Sequence, residues 1–125
     1  MRENALRQPE CELHFNCKSP DRGLPFFAMK IAVGSDHAGF HIKQKVVGWL
    51  RQRGYEVGYV GTRTDASWDY AEYGRIGAEK VSRGAVERGI LVCGSGIGMS
   101  IAANKVSGVR AAECFDSLTA QVSRA

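Results

Sequence analysis

A cysteine inside a glycine-rich stretch, residues 89–100, is the part of this sequence best suited to chemistry. Cys93 follows an apolar run, 90–92, typical of a buried parallel strand, and good helix-forming residues follow it. It is therefore expected at the carboxyl end of a strand, where open α/β sheets place their ligands. The glycines at 94, 96 and 98 allow a tight turn whose N–H groups approach a bound anion. This pattern predicts a nucleophile or base beside an anion cradle, and the alternative is a small buried cysteine at a strand end.

Three well-known loops do not fit this stretch, and position 99 excludes each of them. A dinucleotide-binding fingerprint needs a third glycine where Met99 stands, and a Walker phosphate loop needs a lysine after its last glycine. A cysteine phosphatase loop would place a phosphate-clamping arginine at the same position. The loop therefore predicts an anion-holding turn with a thiol at its edge.

The composition indicates one globular domain. The chain has 125 residues, 44% of them apolar, and no stretch approaches the length of a membrane span. The net charge of +4 is spread along the chain without lysine or arginine blocks, which disfavours nucleic acid as a partner. Four cysteines are too few and too irregularly spaced for a disulfide framework, which favours the reducing cytoplasm.

Residues 1–28 differ from the rest of the chain. They show no helical or strand period and contain all three prolines, so we expect a disordered or non-native N-terminal extension before a start at Met29. Cys11, His14 and Cys17 are potential zinc ligands, but the fourth ligand of a structural site is missing, and a metal site is disfavoured. The folded domain is predicted to span residues 29–125.

From residue 29 onward, strands alternate with helices. Strands are predicted at 30–34, 55–60, 90–92 and 109–113, and helices at 40–53, 70–83, about 99–105 and 115–124. This alternation predicts an α/β fold with a four-stranded parallel sheet in a three-layer arrangement. Such a small sheet would leave an exposed edge, so we expect the fold to be incomplete at its C-terminal end.

The first helix has a clear amphipathic pattern. Ile42, Val46, Trp49 and Leu50 recur at helical spacing and are predicted to face the sheet, with Lys43 on the opposite, polar face.

Polar residues at other strand ends are expected near the Cys93 loop. Asp36 and His37 follow the first strand and could form an acid–base pair, although Asp36 could equally cap the next helix. Asp69 is a predicted N-cap, and Tyr70 after it could place its hydroxyl over the site.

These motifs together resemble the ribose-5-phosphate isomerase B family, which includes galactose-6-phosphate and allose-6-phosphate isomerases. The resemblance rests on residues 29–40, 69–70, 93–98, 100–105 and 108–111, and extends from residue 29 to 124. It implies a Rossmann-like αβα sandwich in a homodimer, and cofactor-free aldose–ketose isomerisation of a small sugar phosphate through an enediolate.

The resemblance also implies roles for individual residues. Cys93 would be the base that moves a proton between C2 and C1, and Ser95 would handle protons at the sugar oxygens. Substrate-binding roles would fall to the strand-end residues and the loop, namely Asp36, His37, Tyr70, Gly94, Gly96, Ile97, Gly98, Met99 and Ser100. Asn104 and Arg110 would support them.

The sequence departs from the family after Arg124. Relatives continue with a His-Asn-Asp-x-Asn segment, a fifth strand and C-terminal helices that carry phosphate-binding arginines, and this sequence lacks them. Ribose 5-phosphate isomerisation, in the pentose phosphate pathway, is the expected function. The alternatives are an allose- or galactose-6-phosphate isomerase, a non-catalytic phosphosugar-binding or partner subunit, and a flavodoxin-like cofactor binder.

Overall fold

The computed structural model describes residues 14–15, 28–61 and 69–125. Between residues 30 and 104, strands and helices alternate as the sequence predicts. The elements are β1 (His14–Phe15), β2 (Lys30–Ser35), α1 (Phe40–Gln52), β3 (Glu56–Gly61), α2 (Tyr70–Ser82), β4 (Arg88–Val92), α3 (Ile97–Asn104) and α4 (Ser117–Arg124).

The sheet has the order β1-β3-β2-β4. Strand β2 pairs in parallel with both β3 and β4, and the two-residue β1 adds antiparallel to β3. The last residue of β2, Ser35, is level with Gly61 of β3 and with Val92 of β4. The three parallel strands therefore end together, which confirms the expectation of one shared rim.

Two apolar clusters cover the two faces of the sheet. On one face, Ile31 and Val33 of β2 pack with Val47 and Leu50 of α1. On the other, Ala32 packs with partly buried side chains of α2. Alternate residues of one strand thus serve opposite cores, as expected for a strand covered by helices on both sides. The α/β, Rossmann-like three-layer prediction is confirmed.

The predicted inner face of α1 is partly wrong. Ile42 and Trp49 are 55% and 51% exposed, and the residues that α1 buries are Lys43, Val47 and Leu50. The helix is therefore rotated relative to the sequence-based expectation. The guanidinium of Arg53 lies 3.6 Å from the centre of the Trp49 ring, which covers part of the outward-facing indole.

The burial of Lys43 explains this rotation. Its side chain is only 1% exposed, and its ammonium lies 5.1 Å from the ring centre of Phe40 and 5.9 Å from that of Tyr59. A lysine stem is apolar and its cation is attracted to aromatic faces, so a lysine on the inner stripe of a helix can be accommodated.

The strand predicted at 109–113 is absent, so the parallel sheet has three strands rather than four among the described residues. A strand needs a neighbouring backbone to bond with, and the backbone here has another partner. The N–H of Ala111 donates to Oδ1 of Asn104, and Nδ2 of Asn104 donates to the carbonyl of Ala111. A side-chain amide has replaced the sheet ladder at this residue.

Three segments, 1–13, 16–27 and 62–68, lie outside the described residues. Cys11 and Cys17 lie in these segments, and the side chain of His14 in β1 is also not described, so the candidate zinc ligands lie outside the described part of the chain. The division into 1–28 and 29–125 stays a prediction. Among the described residues, no helix combines the length and the apolar character needed to cross a membrane.

Candidate active site

Cys93 lies directly after the last residue of β4, at the carboxyl rim of the sheet. The backbone N–H of Gly96 donates to its sulfur at 2.9 Å, and α3 begins at the next residue, Ile97. Gly96 has a φ of +84°, a left-handed conformation that favours glycine. The loop thus curls back so that the thiol faces the N-terminal end of a helix, where the helix dipole favours a negative charge.

The two serines of the loop stabilise the start of α3. The Oγ of Ser95 accepts a hydrogen bond from the N–H of Ile97 at 3.3 Å. The Oγ of Ser100 donates to the carbonyl of Ile97, and the N–H of Ser100 donates to the carbonyl of Gly96. The amide of Ser100 therefore belongs to the helix, whereas Ser95 keeps its hydroxyl proton free for another partner.

The other predicted loop residues differ in exposure. Gly94 and Ile97 are exposed, and Met99 is only 1% exposed. Met99 packs in the core against Gly74 of α2 and also contributes to the lining of a cavity beside the thiol loop, so its role in substrate binding stays a prediction.

Asp36 and His37 lie beside the start of the Cys93 loop, as predicted. The N–H of Asp36 donates to the carbonyl of Val92 at 3.2 Å, which ties the end of β2 to the end of β4. The buried carboxylate of Asp36 accepts a hydrogen bond from the N–H of Gly39 at 2.8 Å, so it shapes the turn before α1. The side chain of His37 is exposed at the same rim.

Tyr70 also reaches the loop. It is the first residue of α2, whose N-cap is Asp69 as predicted, with the Asp69 carboxylate accepting from the N–H of Ala71 at 2.9 Å. The ring of Tyr70 lies directly against Gly98, because a β-carbon built on Gly98 would lie 2.3 Å from the ring carbon Cε2. Gly98 is thus required for this close approach.

A cavity of about 670 Å³ runs from the thiol loop along β4. Cys93, Ser95, Gly96 and Ser100 contribute to its lining, whereas Asp36, His37 and Tyr70 do not. The candidate site residues therefore fall into two groups. Cys93 and Ser95 line the cavity, whereas Asp36, His37 and Tyr70 lie beside the loop and outside the cavity.

Asn104 and Arg110 have different positions. Asn104 fixes Ala111 through the two hydrogen bonds described above, and its Nδ2 also donates to the carbonyl of Ser100 at 2.9 Å. The side chain of Arg110 is exposed and lines the cavity. Asn104 thus holds the backbone next to the site, while Arg110 adds a positive charge to the cavity.

Sequence reasoning missed one residue, Glu113, which lines the cavity next to Gly96. A carboxylate at the end of a predicted strand was a signal for it. The contact with Gly96 is between distant parts of the chain and has no local pattern.

Within the described residues, no three histidine, cysteine, aspartate or glutamate side chains lie close enough together to hold a metal ion. The arrangement is suited to proton transfer by a thiol, with backbone N–H groups close to the reacting atoms.

Comparison with known proteins gives a consistent result. Ribose-5-phosphate isomerase B of Escherichia coli (strain K12) is 47% identical over 95 residues, covering 76% of this chain and 64% of the relative. The 4-deoxy-4-sulfo-D-erythrose isomerase of Clostridium sp. (strain MSTE9) is 42% identical over 98 residues, covering 78% of this chain and 62% of that protein. The solved structure of Clostridium thermocellum ribose-5-phosphate isomerase B is 50% identical with a TM-score of 0.75, covering 77% of this chain and 65% of that one.

The chain thus spans slightly less than two thirds of the length of these relatives. The model of the protein family described as Ribose/Galactose Isomerase matches residues 31–125, which include the Cys93 loop, both rim segments and α4. Because this match covers most of the sequence, the chain belongs to the ribose/galactose isomerase family.

Proposed function

We propose that this chain is a sugar-phosphate isomerase that interconverts ribose 5-phosphate and ribulose 5-phosphate through an enediolate, without a cofactor. The observation that carries the proposal is the position of Cys93, with its sulfur hydrogen-bonded to the N–H of Gly96 at the start of α3. Family membership supports the same reaction class.

In the proposed reaction, the Cys93 thiolate removes the proton from C2 of the open-chain aldose. The electron pair of the broken C–H bond forms the C1–C2 double bond, and the carbonyl electrons move to the C1 oxygen. The negative charge that develops there would be stabilised by N–H groups of the loop and by the N-terminal end of α3. Return of the proton to C1, and transfer of the proton from the C2 oxygen to the C1 oxygen, complete the ketose.

Ser95 would move the proton between the two sugar oxygens. Its Oγ accepts a hydrogen bond from the N–H of Ile97, which fixes the oxygen and leaves the hydroxyl proton for a substrate oxygen. Asp36, His37 and Tyr70, at the same rim, would contact the rest of the sugar. We further propose a homodimer acting in the pentose phosphate pathway in the cytoplasm.

Proton abstraction can be tested directly. The purified chain is incubated with ribose 5-phosphate in D2O, and the loss of the C2 proton signal is followed by NMR. We expect Cys93→Ala to slow the exchange by about 100-fold or more, the usual size of general base catalysis. Cys114→Ala, which removes an exposed thiol, is the matched control and should exchange at the wild-type rate.

Two results would contradict the proposal. Exchange that persists in Cys93→Ala would show that another group is the base. Binding of ribose 5-phosphate without exchange, by a wild-type chain shown to be folded, would favour the alternative of a phosphosugar-binding or partner subunit.

The choice of sugar has a separate test, because the Clostridium sp. relative is an isomerase of a different sugar. The same NMR exchange measured with ribose 5-phosphate, allose 6-phosphate and galactose 6-phosphate ranks the three substrates. We expect the highest rate at equal concentration with ribose 5-phosphate, and faster exchange with a hexose phosphate would reassign the substrate.

A further inference from the structure

The carboxylate of Glu113 lies against the loop that holds the thiol. A β-carbon built on Gly96 would lie 3.2 Å from Cγ and 3.4 Å from Oε1 of Glu113. The N–H of the same glycine donates to the sulfur of Cys93 at 2.9 Å. Since both contacts are made by the same residue, the carboxylate oxygen is within about 9 Å of the thiol.

A specific clamp holds the segment that carries Glu113. Asn104 bonds both the N–H and the carbonyl of Ala111, two residues before Glu113, at 2.9 and 2.8 Å. Asn104 is the last residue of α3, the helix that begins at the thiol loop. The loop and the carboxylate are therefore attached to opposite ends of the same short helix.

Glu113 has no hydrogen bond or ion pair with any residue that the structure describes. It is half-buried and lines the same cavity as Cys93 and Ser95. The other charged residues of that lining are Glu87, Arg88, Arg110 and Arg124. The carboxylate oxygens thus keep their full capacity to accept hydrogen bonds, in a cavity large enough for a pentose phosphate.

A free carboxylate has opposite effects on the two ends of a sugar phosphate. It accepts charge-assisted hydrogen bonds from hydroxyl groups, and it repels a phosphate group. Next to a catalytic thiol, it would therefore favour the polyhydroxylated end of the substrate.

We propose that Glu113 is a specificity-determining residue, which accepts hydrogen bonds from sugar hydroxyls beside Cys93 and turns the phosphate end of the substrate away from the thiol loop. The identity of the substrate rests on the function proposed above. The effect of the Glu113 charge at the thiol does not depend on that function, because it acts on any ligand or reagent that reaches Cys93.

The charge effect is measured by alkylating the full chain with iodoacetate, which is anionic, and with iodoacetamide, which is neutral. Trypsin places Cys93 in the peptide 89–105 and Cys114 in the peptide 111–124, so mass spectrometry follows each thiol separately. The ratio of the two rates at Cys93 cancels differences in thiol reactivity and reports the local charge. We expect Glu113→Gln to raise the iodoacetate-to-iodoacetamide ratio at Cys93 by about two- to tenfold, from the interaction of two unit charges at this separation.

Glu56→Gln is the matched control, because Glu56 starts β3 at the end of the sheet opposite the rim. It should leave the ratio unchanged. An unchanged ratio in Glu113→Gln, or an equal change in both variants, overturns the proposal whether or not the chain catalyses C2 exchange.

Hydroxyl binding is measured by the protection of Cys93 from iodoacetamide. We expect Glu113→Ala to weaken protection by ribose 5-phosphate by about tenfold or more, the loss expected for a charge-assisted hydrogen bond. Protection by inorganic phosphate should persist or become stronger, since a repelling charge has been removed.

Loss of protection by both compounds in parallel would indicate a damaged site and would overturn the proposal, as would an unchanged effect of ribose 5-phosphate. If the wild-type chain shows no C2 exchange while the alkylation ratio and the protection change as expected, the proposed function fails and the role of Glu113 stands.

Discussion

Gly98 and Tyr70 show how one missing side chain shapes the rim of the site. The ring of Tyr70 occupies the space that a β-carbon at position 98 would need, and Tyr70 is still 47% exposed. An exposed ring can turn away from a new methyl group at small cost, so the position of the ring is more sensitive to this contact than the fold is.

We therefore expect the effect of Gly98→Ala on stability to differ between two backgrounds. In Tyr70→Ala, with the ring removed, alanine should stabilise α3 by about 1 kcal/mol because it is the better helix former. In the wild-type background, displacement of the ring should cancel most of that gain. Urea denaturation of the four proteins measures this double-mutant cycle. The same change in unfolding free energy in both backgrounds would show that the ring and Gly98 do not interact.

At the scale of elements, α4 is held at its start by a capping box. The Asp116 carboxylate accepts from the backbone N–H of Thr119 at 2.7 Å and from its hydroxyl at 2.9 Å. These bonds from Thr119, the backbone one foremost, hold the pKa of the Asp116 carboxyl below its ordinary value.

A carboxyl whose pKa is lower in the folded state stabilises the fold above its unfolded pKa and loses that contribution as the pH falls through the folded value. We expect the helical Cα chemical shifts of residues 117–124 to decrease below about pH 4, where Asp116 becomes protonated. Asp116→Asn keeps an oxygen acceptor without the titration and should remove this pH dependence. An identical pH profile in the Asn variant would assign the transition to another group.

The Asn104 clamp is the second element-scale feature with a measurable effect. Asn104→Ala removes its bonds to Ser100 and Ala111, so we expect a loss of about 1–2 kcal/mol in unfolding free energy and faster hydrogen exchange of the Ala111 amide. Asn104→Asp keeps the acceptor and should preserve protection of that amide better than alanine does. If the Ala111 amide exchanges at the wild-type rate in Asn104→Ala, the clamp does not hold this segment.

The local elements were largely predictable from the sequence. The helices expected at 40–53 and 70–83 are observed as Phe40–Gln52 and Tyr70–Ser82, because their periodicity and flanking glycine or aspartate residues are local signals. The strand expected at 109–113 was not predictable in this way, because a strand exists only with a bonding neighbour. The prediction of the inner face of α1 was partly wrong for a related reason. Hydrophobicity classes Lys43 as polar, whereas the aromatic rings that surround it come partly from β3, a different element.

In the candidate site, the positions of residues along the rim were more predictable than the contacts between side chains. Alternating strands and helices place Asp36 and Cys93 at one rim, and the structure confirms this through the bond between Asp36 and Val92. The contact of Glu113 with Gly96 depends on how the segment after α3 folds back towards the thiol loop. Helical or strand periodicity in the sequence does not predict that path.

At the scale of the whole molecule, the proposed homodimer has a candidate surface on α4. Leu118 and Val122 of α4 are 65% and 66% exposed and lie one helical turn apart, and Phe115, two residues before the helix, is 77% exposed. Large apolar side chains grouped on one helix face favour association.

We expect the sedimentation coefficient of the chain to rise with concentration, and the double variant Leu118→Lys/Val122→Lys to sediment as a monomer. Ala120→Lys/Gln121→Lys adds the same charge at exposed neighbouring positions and should still associate. A monomer at every concentration, or equal dissociation of both variants, would argue against association through this face.

The burial of Lys43 makes α1 a reporter of its own opening. An acetylating reagent reaches the exposed Lys45 in the native protein, whereas Lys43, at 1% exposure, reacts only when the helix separates from the sheet. The two amines share one helix and one tryptic digest, so the ratio of their labelling rates gives the fraction of time that α1 spends detached. A lysine buried in the core thus lets a common amine reagent measure the local opening of this domain.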